Sequence, residues 1–268
     1  MKLATLPGGG ELAYEVHGPD HGPTLLLVRP LGGSMASWAD FSDRLARSIR
    51  LVMFDGRGTG RSGPAPWSLT TRSMAHDAKA LLDFLEIPKA HVYGISLGGM
   101  VSSWLAVDHP EKVDRLVLAS TVPMGTMFRP QAIGRGLSVA GCLAQSTSLA
   151  EACMATKILS HHFREQHPGE VLRIRERAAQ FPASHRTLGI LLAAAARHDV
   201  RRHLPEITAE TLVLHGEHDP LLTEQSQGKL LQGIPSVRFD TIVGVGHDIS
   251  AEAPEVVADR VLMHLGIT

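Results

Sequence analysis

The sequence predicts an α/β protein: a mostly parallel central sheet, helices on both faces, and a helical lid insertion over one end. Three observations lead there. Short continuous apolar runs recur along the chain, as expected of strands covered on both faces. Helix-period segments separate those runs, and such alternation implies crossovers between parallel strands. The alternation then lapses over residues 123–204, which are helix-prone and hold no convincing strand.

The first elements, residues 2–6 and 11–16, flank the G-G-G at 8–10 and read as an opening β-hairpin. Residues 24–28 (T-L-L-L-V) and 51–54 (L-V-M-F) are the first fully buried strands. Met74, Ala78, Leu81, Leu82 and Leu85 fall at i, i+4, i+7, i+8 and i+11, one apolar face of a helix that stops before Pro88. Residues 91–94 and 115–119 (R-L-V-L-A) are two more strands, and Met100, Val101, Trp104 and Leu105 share a face of the helix between them. Beyond the insertion, 211–214 (T-L-V-L) and 237–243 complete the sheet, and Val256, Val257, Val261 and Leu262 mark a final helix. The chain therefore divides into a core of 1–122, a helical lid of 123–204, and a second part of the core, 205–268. The lid carries the run L-G-I-L-L-A-A-A-A-R at 188–197 and five of the fifteen histidines, at 161, 162, 167, 185 and 198.

The 268 residues suffice for one large α/β domain with an insertion, and 44% hydrophobic content supplies a sizeable core. A formal net charge of -1 gives no strong field of either sign, which argues against nucleic acid or an anionic membrane as partner. Cys142 and Cys153, eleven apart and outside any C-x-x-C pair, are expected to be reduced packing residues. The opening M-K-L-A-T-L-P-G-G-G lacks the long apolar stretch of a signal peptide. No apolar run approaches the roughly 18 residues of a membrane span. The expectation is a soluble, cytoplasmic protein acting on a small molecule, with its oligomeric state undetermined.

Residues 92–99 read V-Y-G-I-S-L-G-G. A serine between Gly94 and Gly98, after a strand and before a helix, marks a strand-to-helix turn that strains the serine backbone and exposes its Oγ. The glycines are required because a Cβ at either place would collide with neighbouring backbone. The helix N-terminus then aims free N–H groups at whatever Ser96 attacks. A serine hydroxyl needs a base to become a nucleophile. His247, in G-V-G-H-D at 244–248, lies on the loop after the last strand and opens an H-x-x-x-x-E-x-P run to Pro254. Asp219, in H-G-E-H-D-P at 215–220, lies on the loop after the strand before it; Glu217 and Asp248 are the alternative acids. Ser96, Asp219, His247 is the chain order expected when such a triad is built on a parallel sheet. No metal-ligand spacing is visible, and neither metal nor organic cofactor is expected.

On these motifs, and on F-D-G-R-G-T-G-R-S at 54–62, the chain resembles the α/β-hydrolase superfamily over most of residues 10–122 and 205–268. Within it the similarity is to small lid-bearing esterases and lactonases such as 3-oxoadipate enol-lactonase. The resemblance implies structural roles for Asp55 and Arg57, and an oxyanion hole made by the backbone N–H groups of Leu31 and Leu97. V-R-P-L-G-G at 28–33 departs from the family's H-G-x-G, placing Arg29 and Pro30 where His-Gly would stand. Two roles are open to Arg29: a structural ion pair with an acidic loop, for instance Asp55, which is preferred, or a clamp on a substrate carboxylate. The implied activity is hydrolysis of a small ester or lactone through an acyl-enzyme. The same parts serve a carbon–carbon bond hydrolase or a cofactor-free perhydrolase, whereas an epoxide hydrolase or dehalogenase would carry aspartate in place of Ser96. A non-catalytic small-molecule binder on the same fold is the alternative from another class. Met124, Met127, Phe128, Leu143 and Leu192 are candidate pocket or lid-core residues.

Overall fold

The computed structural model describes residues 1–7, 9–125, 141–142 and 145–267. Eight strands form one sheet in the order β1-β2-β4-β3-β5-β6-β7-β8. They are β1 Lys2–Thr5, β2 Glu11–His17, β3 Thr24–Val28, β4 Arg50–Phe54, β5 Ala90–Ile95, β6 Val113–Ala119, β7 Glu210–Gly216 and β8 Val237–Ile242. The β1–β2 and β2–β4 pairings are antiparallel and all others parallel. Every apolar run read as a strand is one, with ends moved by at most two residues. The reason is burial on both faces. Alternate residues point to opposite sides, so Leu26, Val28, Val92 and Leu116 pack into one core while Leu25, Leu27, Tyr93 and Val117 pack into the other.

Helices α1 (Ala39–Leu45), α2 (Thr71–Phe84) and α3 (Leu97–Asp108) lie between the strands of the first half. A capping box between Thr70 and Ser73 starts α2, which buries Ala78, Leu81 and Leu82 as its periodicity predicts, with Ala75 beside them and Met74 and Leu85 partly buried at the edge. Helix α3 differs from expectation. Leu97 through Ala106 are buried on every side rather than along one face. Its serines satisfy their hydroxyls one turn back, Ser102 Oγ on Gly98 C=O at 2.8 Å and Ser103 Oγ on Gly99 C=O at 2.9 Å.

Between β6 and β7 the described residues form α4 (Thr147–Lys157), α5 (His161–Gln166), α6 (Pro168–Gln180) and α7 (His185–Ala196), with one isolated bridge between Met124 and Asp199. Its stems are fastened together: Gly125 N–H donates to His198 C=O at 2.8 Å and Val200 N–H to Pro123 C=O at 2.9 Å. One expectation fails here. Cys142 and Cys153 are joined in a disulfide, their Cα atoms 5.5 Å apart. An eleven-residue spacing carries no pairing signal, yet the fold returns the chain to α4 within bridging distance. After β7 comes α8 (Glu224–Gln227), and after β8 come α9 (Ile249–Glu252) and α10 (Pro254–Leu265). Among the described residues, no helix is long and apolar enough to cross a membrane.

Candidate active site

Ser96 follows the last residue of β5 and precedes the first of α3, with φ 56° and ψ −119°. A non-glycine residue in that region stores roughly 1–3 kcal/mol of strain and persists only where its surroundings enforce it. They do so from both sides: Ser96 N–H donates to Ala119 C=O at 2.9 Å, and Thr121 Oγ donates to Ser96 C=O at 2.7 Å. A Cβ on Gly94 would overlap Ser102 Oγ and the Gly98 carbonyl, and one on Gly98 would overlap the Val28 carbonyl. The two glycines thus let β5, α3 and the end of β3 meet at the serine.

Because β5, β7 and β8 run parallel, the loops after them open at one edge of the sheet. That edge brings the three predicted side chains together. His247 Nε2 lies 2.9 Å from Ser96 Oγ, and His247 Nδ1 lies 2.8 Å from Asp219 Oδ2. With the proton on Nδ1 donated to Asp219, Nε2 is left to accept from Ser96. The other Asp219 oxygen accepts the Leu221 and Leu222 N–H groups at 2.8 and 2.9 Å. The side chains of His247 and Asp219 are 4% and 0% exposed. Burial pushes the Asp219 carboxyl up, but the His247 charge and three hydrogen bonds outweigh it and hold Asp219 below the usual range. Burial likewise pushes His247 down, and the Asp219 carboxylate outweighs it, leaving the imidazole raised. The competing acids have other tasks. Glu217 accepts Gly244 N–H at 2.8 Å, and Asp248 caps α9 through Ala251 N–H.

Ser96 and His247 open onto a cavity of about 200 Å³. Leu31, Leu97 and Met100 form its inner wall, and Met154 of α4, Ile158 just after it, Ile174 of α6, and Leu188 and Leu192 of α7 roof it. Of the insertion residues named from sequence, Leu192 therefore lines the cavity and Met124 sits in the stem bridge. Met127, Phe128 and Leu143 lie outside the described residues. Leu31 occupies a turn closed by Gly33 N–H on Pro30 C=O at 3.2 Å, with Gly32 at φ +76°. Arg29 also faces the cavity, its guanidinium 4.3 Å from the centre of the Trp38 ring. Asp55, the suggested partner for Arg29, accepts the N–H groups of Met35 and Arg61 at 2.7 and 2.9 Å. Arg57 forms a two-pronged pair with Asp77 at 2.8 and 2.7 Å, tying its loop to α2.

Several residues around the site carried no sequence signal of their role. Tyr93 OH meets Ser250 Oγ at 2.6 Å beneath the His247 loop, and the buried Gln227 amide donates to His215 Nδ1 at 2.7 Å behind Asp219. Glu252 falls on the H-x-x-x-x-E-x-P run, which pointed to the loop but not to the bonds this carboxylate makes. Among the described residues, no three His, Cys, Asp or Glu side chains gather as metal ligands would.

Comparison with known proteins agrees with this fold. A family described as alpha/beta hydrolase fold matches residues 23–254. A protein of Variovorax paradoxus with the provisional name carbamate hydrolase RutD is 30% identical over 247 residues, 88% of this chain and 89% of the relative. The 3-oxoadipate enol-lactonase 2 of Acinetobacter baylyi is 29% identical over 245 residues, 91% of this chain and 89% of that protein. Among solved structures, a hydrolase from Pseudomonas aeruginosa superposes with a TM-score of 0.86 at 29% identity, covering 99% of this chain and 98% of the other.

Proposed function

The chain belongs to the α/β-hydrolase family, and from that premise we propose a serine hydrolase that cleaves a small carboxylic ester or lactone through an acyl-enzyme. The observation that carries the proposal is the unbroken line from Asp219 through His247 to Ser96 Oγ, with contacts of 2.8 and 2.9 Å, at the wall of a cavity. His247 takes the Ser96 proton as Oγ attacks the carbonyl carbon, and Asp219 stabilises the imidazolium that forms. The N–H groups of Leu31 and Leu97 hold the oxyanion. His247 returns the proton to the leaving oxygen, then activates the water that releases the acid. Residues 123–204 act as a lid between the core parts 1–122 and 205–268.

The apolar roof suits an uncharged acyl group, and Arg29 at the Trp38 face is the proposed contact for an anionic substituent. At about 200 Å³ the cavity is smaller than the roughly 300–1,000 Å³ that drug-sized ligands fill, which favours small substrates. The net charge of -1 supports a small-molecule partner over nucleic acid. The cytoplasm remains the proposed location, and the Cys142–Cys153 disulfide weighs against it, because cytosolic thiols are normally kept reduced.

Purified protein assayed against esters, lactones, carbamates and vinylogous diketones tests the reading. Turnover of an ester or lactone is expected, with Ser96→Ala lowering kcat by about 10⁶-fold. Turnover of the diketones alone would make it a carbon–carbon bond hydrolase. Binding without turnover by the wild type would make it a binder.

A further inference from the structure

The carboxylate of Glu252, five residues beyond His247, is buried and takes no part in the proton path. It gathers three donors from two separate parts of the fold. Oε1 accepts Gly246 N–H at 2.9 Å and Ser160 N–H at 2.8 Å, and Oε2 accepts the Ser160 hydroxyl at 2.6 Å. The next residue along the loop, His247, donates its own N–H to Ile158 C=O at 2.8 Å. Of two consecutive N–H groups of the histidine loop, His247's therefore bonds residues 158–160, the link between α4 and α5, directly, and Gly246's reaches Ser160 through the Glu252 carboxylate. The contact is close: a Cβ on Gly246 would come within 2.5 Å of Ser160 N, 2.6 Å of Glu252 Oε1 and 2.8 Å of Ile158 O. The single turn of α9 is what folds Glu252 back beside Gly246.

We propose that Glu252 is a positioning residue, which fixes His247 against Ser96 by fastening the histidine loop to the link between the first two described helices of the insertion. The inference rests on the serine-hydrolase reading. An imidazole displaced by about 1 Å loses on the order of 10²-fold in rate, and its position depends on the backbone at 246–247 as well as on Asp219. Ile158 belongs both to this joint and to the cavity roof, so the segment that shapes the pocket also holds the base. The charge matters as well as the bonds. Burial raises Glu252 above the usual carboxylate range despite the pull of its hydrogen bonds, and all three bonds run into the carboxylate, which accepts them fully as the ion. The charged or titratable groups facing His247 are Asp219 and His215 from the β7 side, Asp248 on its own loop, and Glu252. Residues 158–160 (Ile, Leu, Ser) bring no ionisable side chain to the joint.

The test is the second-order rate of Ser96 labelling by a fluorophosphonate, followed from pH 5 to 9 in wild type, Glu252→Ala, Glu252→Gln and Ser160→Ala. Glu252→Ala is expected to label about 100-fold more slowly. Glu252→Gln is expected to recover most of that rate, since its amide oxygen accepts the two backbone N–H groups and its NH₂ donates to Ser160 Oγ. Its acid limb shifts to lower pH, because a negative charge that favours the imidazolium is gone. Ser160→Ala, which loses the bond to Glu252 and the Phe163 N–H cap on α5, should fall between wild type and Glu252→Ala, and it carries the test with Glu252→Gln where Glu252→Ala fails to fold. Wild-type rates in Glu252→Ala or Ser160→Ala, or an unmoved limb in Glu252→Gln, would overturn the role of Glu252. A wild type that does not label at all would instead remove the serine-hydrolase reading.

Discussion

Leu31 is where a single backbone atom can be tested in isolation. Its turn has the form of a type II turn, closed from Gly33 to Pro30, with Gly32 in the positive-φ third position. Proline is favoured at the second position of such turns, so Leu31→Pro keeps the turn and deletes one N–H. If that N–H binds the oxyanion, kcat falls by about 10²–10³-fold while Tm stays put; an unchanged kcat would place the donor elsewhere. At this scale the sequence was legible wherever a residue's type and its place relative to a strand end pointed to a shared location, as for Ser96, Asp219 and His247, which the fold brings into contact. It was mute where the role is a through-space partnership. Glu252 and Ser160 stand 92 residues apart, and nothing in either local pattern names the other. Arg29 shows the same limit, since an aromatic face at Trp38, nine residues on, receives its guanidinium.

Among the elements, the strands were readable because parallel strands buried on both faces leave uninterrupted apolar runs, T-L-L-L-V of β3 being the clearest. Helix α2 was readable because it keeps one polar face, whereas α3, buried all round, concealed its role behind the same apolar letters. The insertion was identified as helical, but its packing depends on contacts between helices that periodicity does not specify. The disulfide is the sharpest case. It ties Cys142 to α4, the helix that contributes Met154 to the cavity roof and leads into Ile158 there. Closing a loop of this length stabilises by about 2–3 kcal/mol in the chain-entropy account. Thiol titration of the unreduced protein in denaturant should find no free thiol, and reduction should speed proteolysis within residues 141–157 by about tenfold or more. Two free thiols would contradict the bridge.

The whole molecule has a predictable response to acid. His91, His109, His198, His215 and His264 are all pushed down, burial being the first cause for each, and His198 reaches about 4. Between pH 6.5 and 4 the unfolded chain takes up protons at these sites that the folded chain refuses, so stability is present above 6.5 and lost as pH falls. The shift at His198 alone corresponds to about 3 kcal/mol by the bottom of that window. His247, raised by Asp219, acts in the opposite direction, one histidine against five, and the carboxyls of Asp55, Asp77 and Glu252, raised by burial, oppose the loss only near the bottom of the window, where carboxyls titrate. Tm should therefore fall steadily below pH 6.5, and His198→Phe should flatten the decline; a flat profile in the wild type would contradict this. The same global fold brings Ser96 and His247, 151 residues apart in the chain, to one rim of the sheet. Peptide mapping by mass spectrometry after fluorophosphonate treatment tests that convergence most directly. The account predicts one adduct, on Ser96, abolished in Ser96→Ala and strongly slowed in His247→Ala. An unmodified Ser96, or labelling at Ser96 that proceeds as fast without His247, would contradict it.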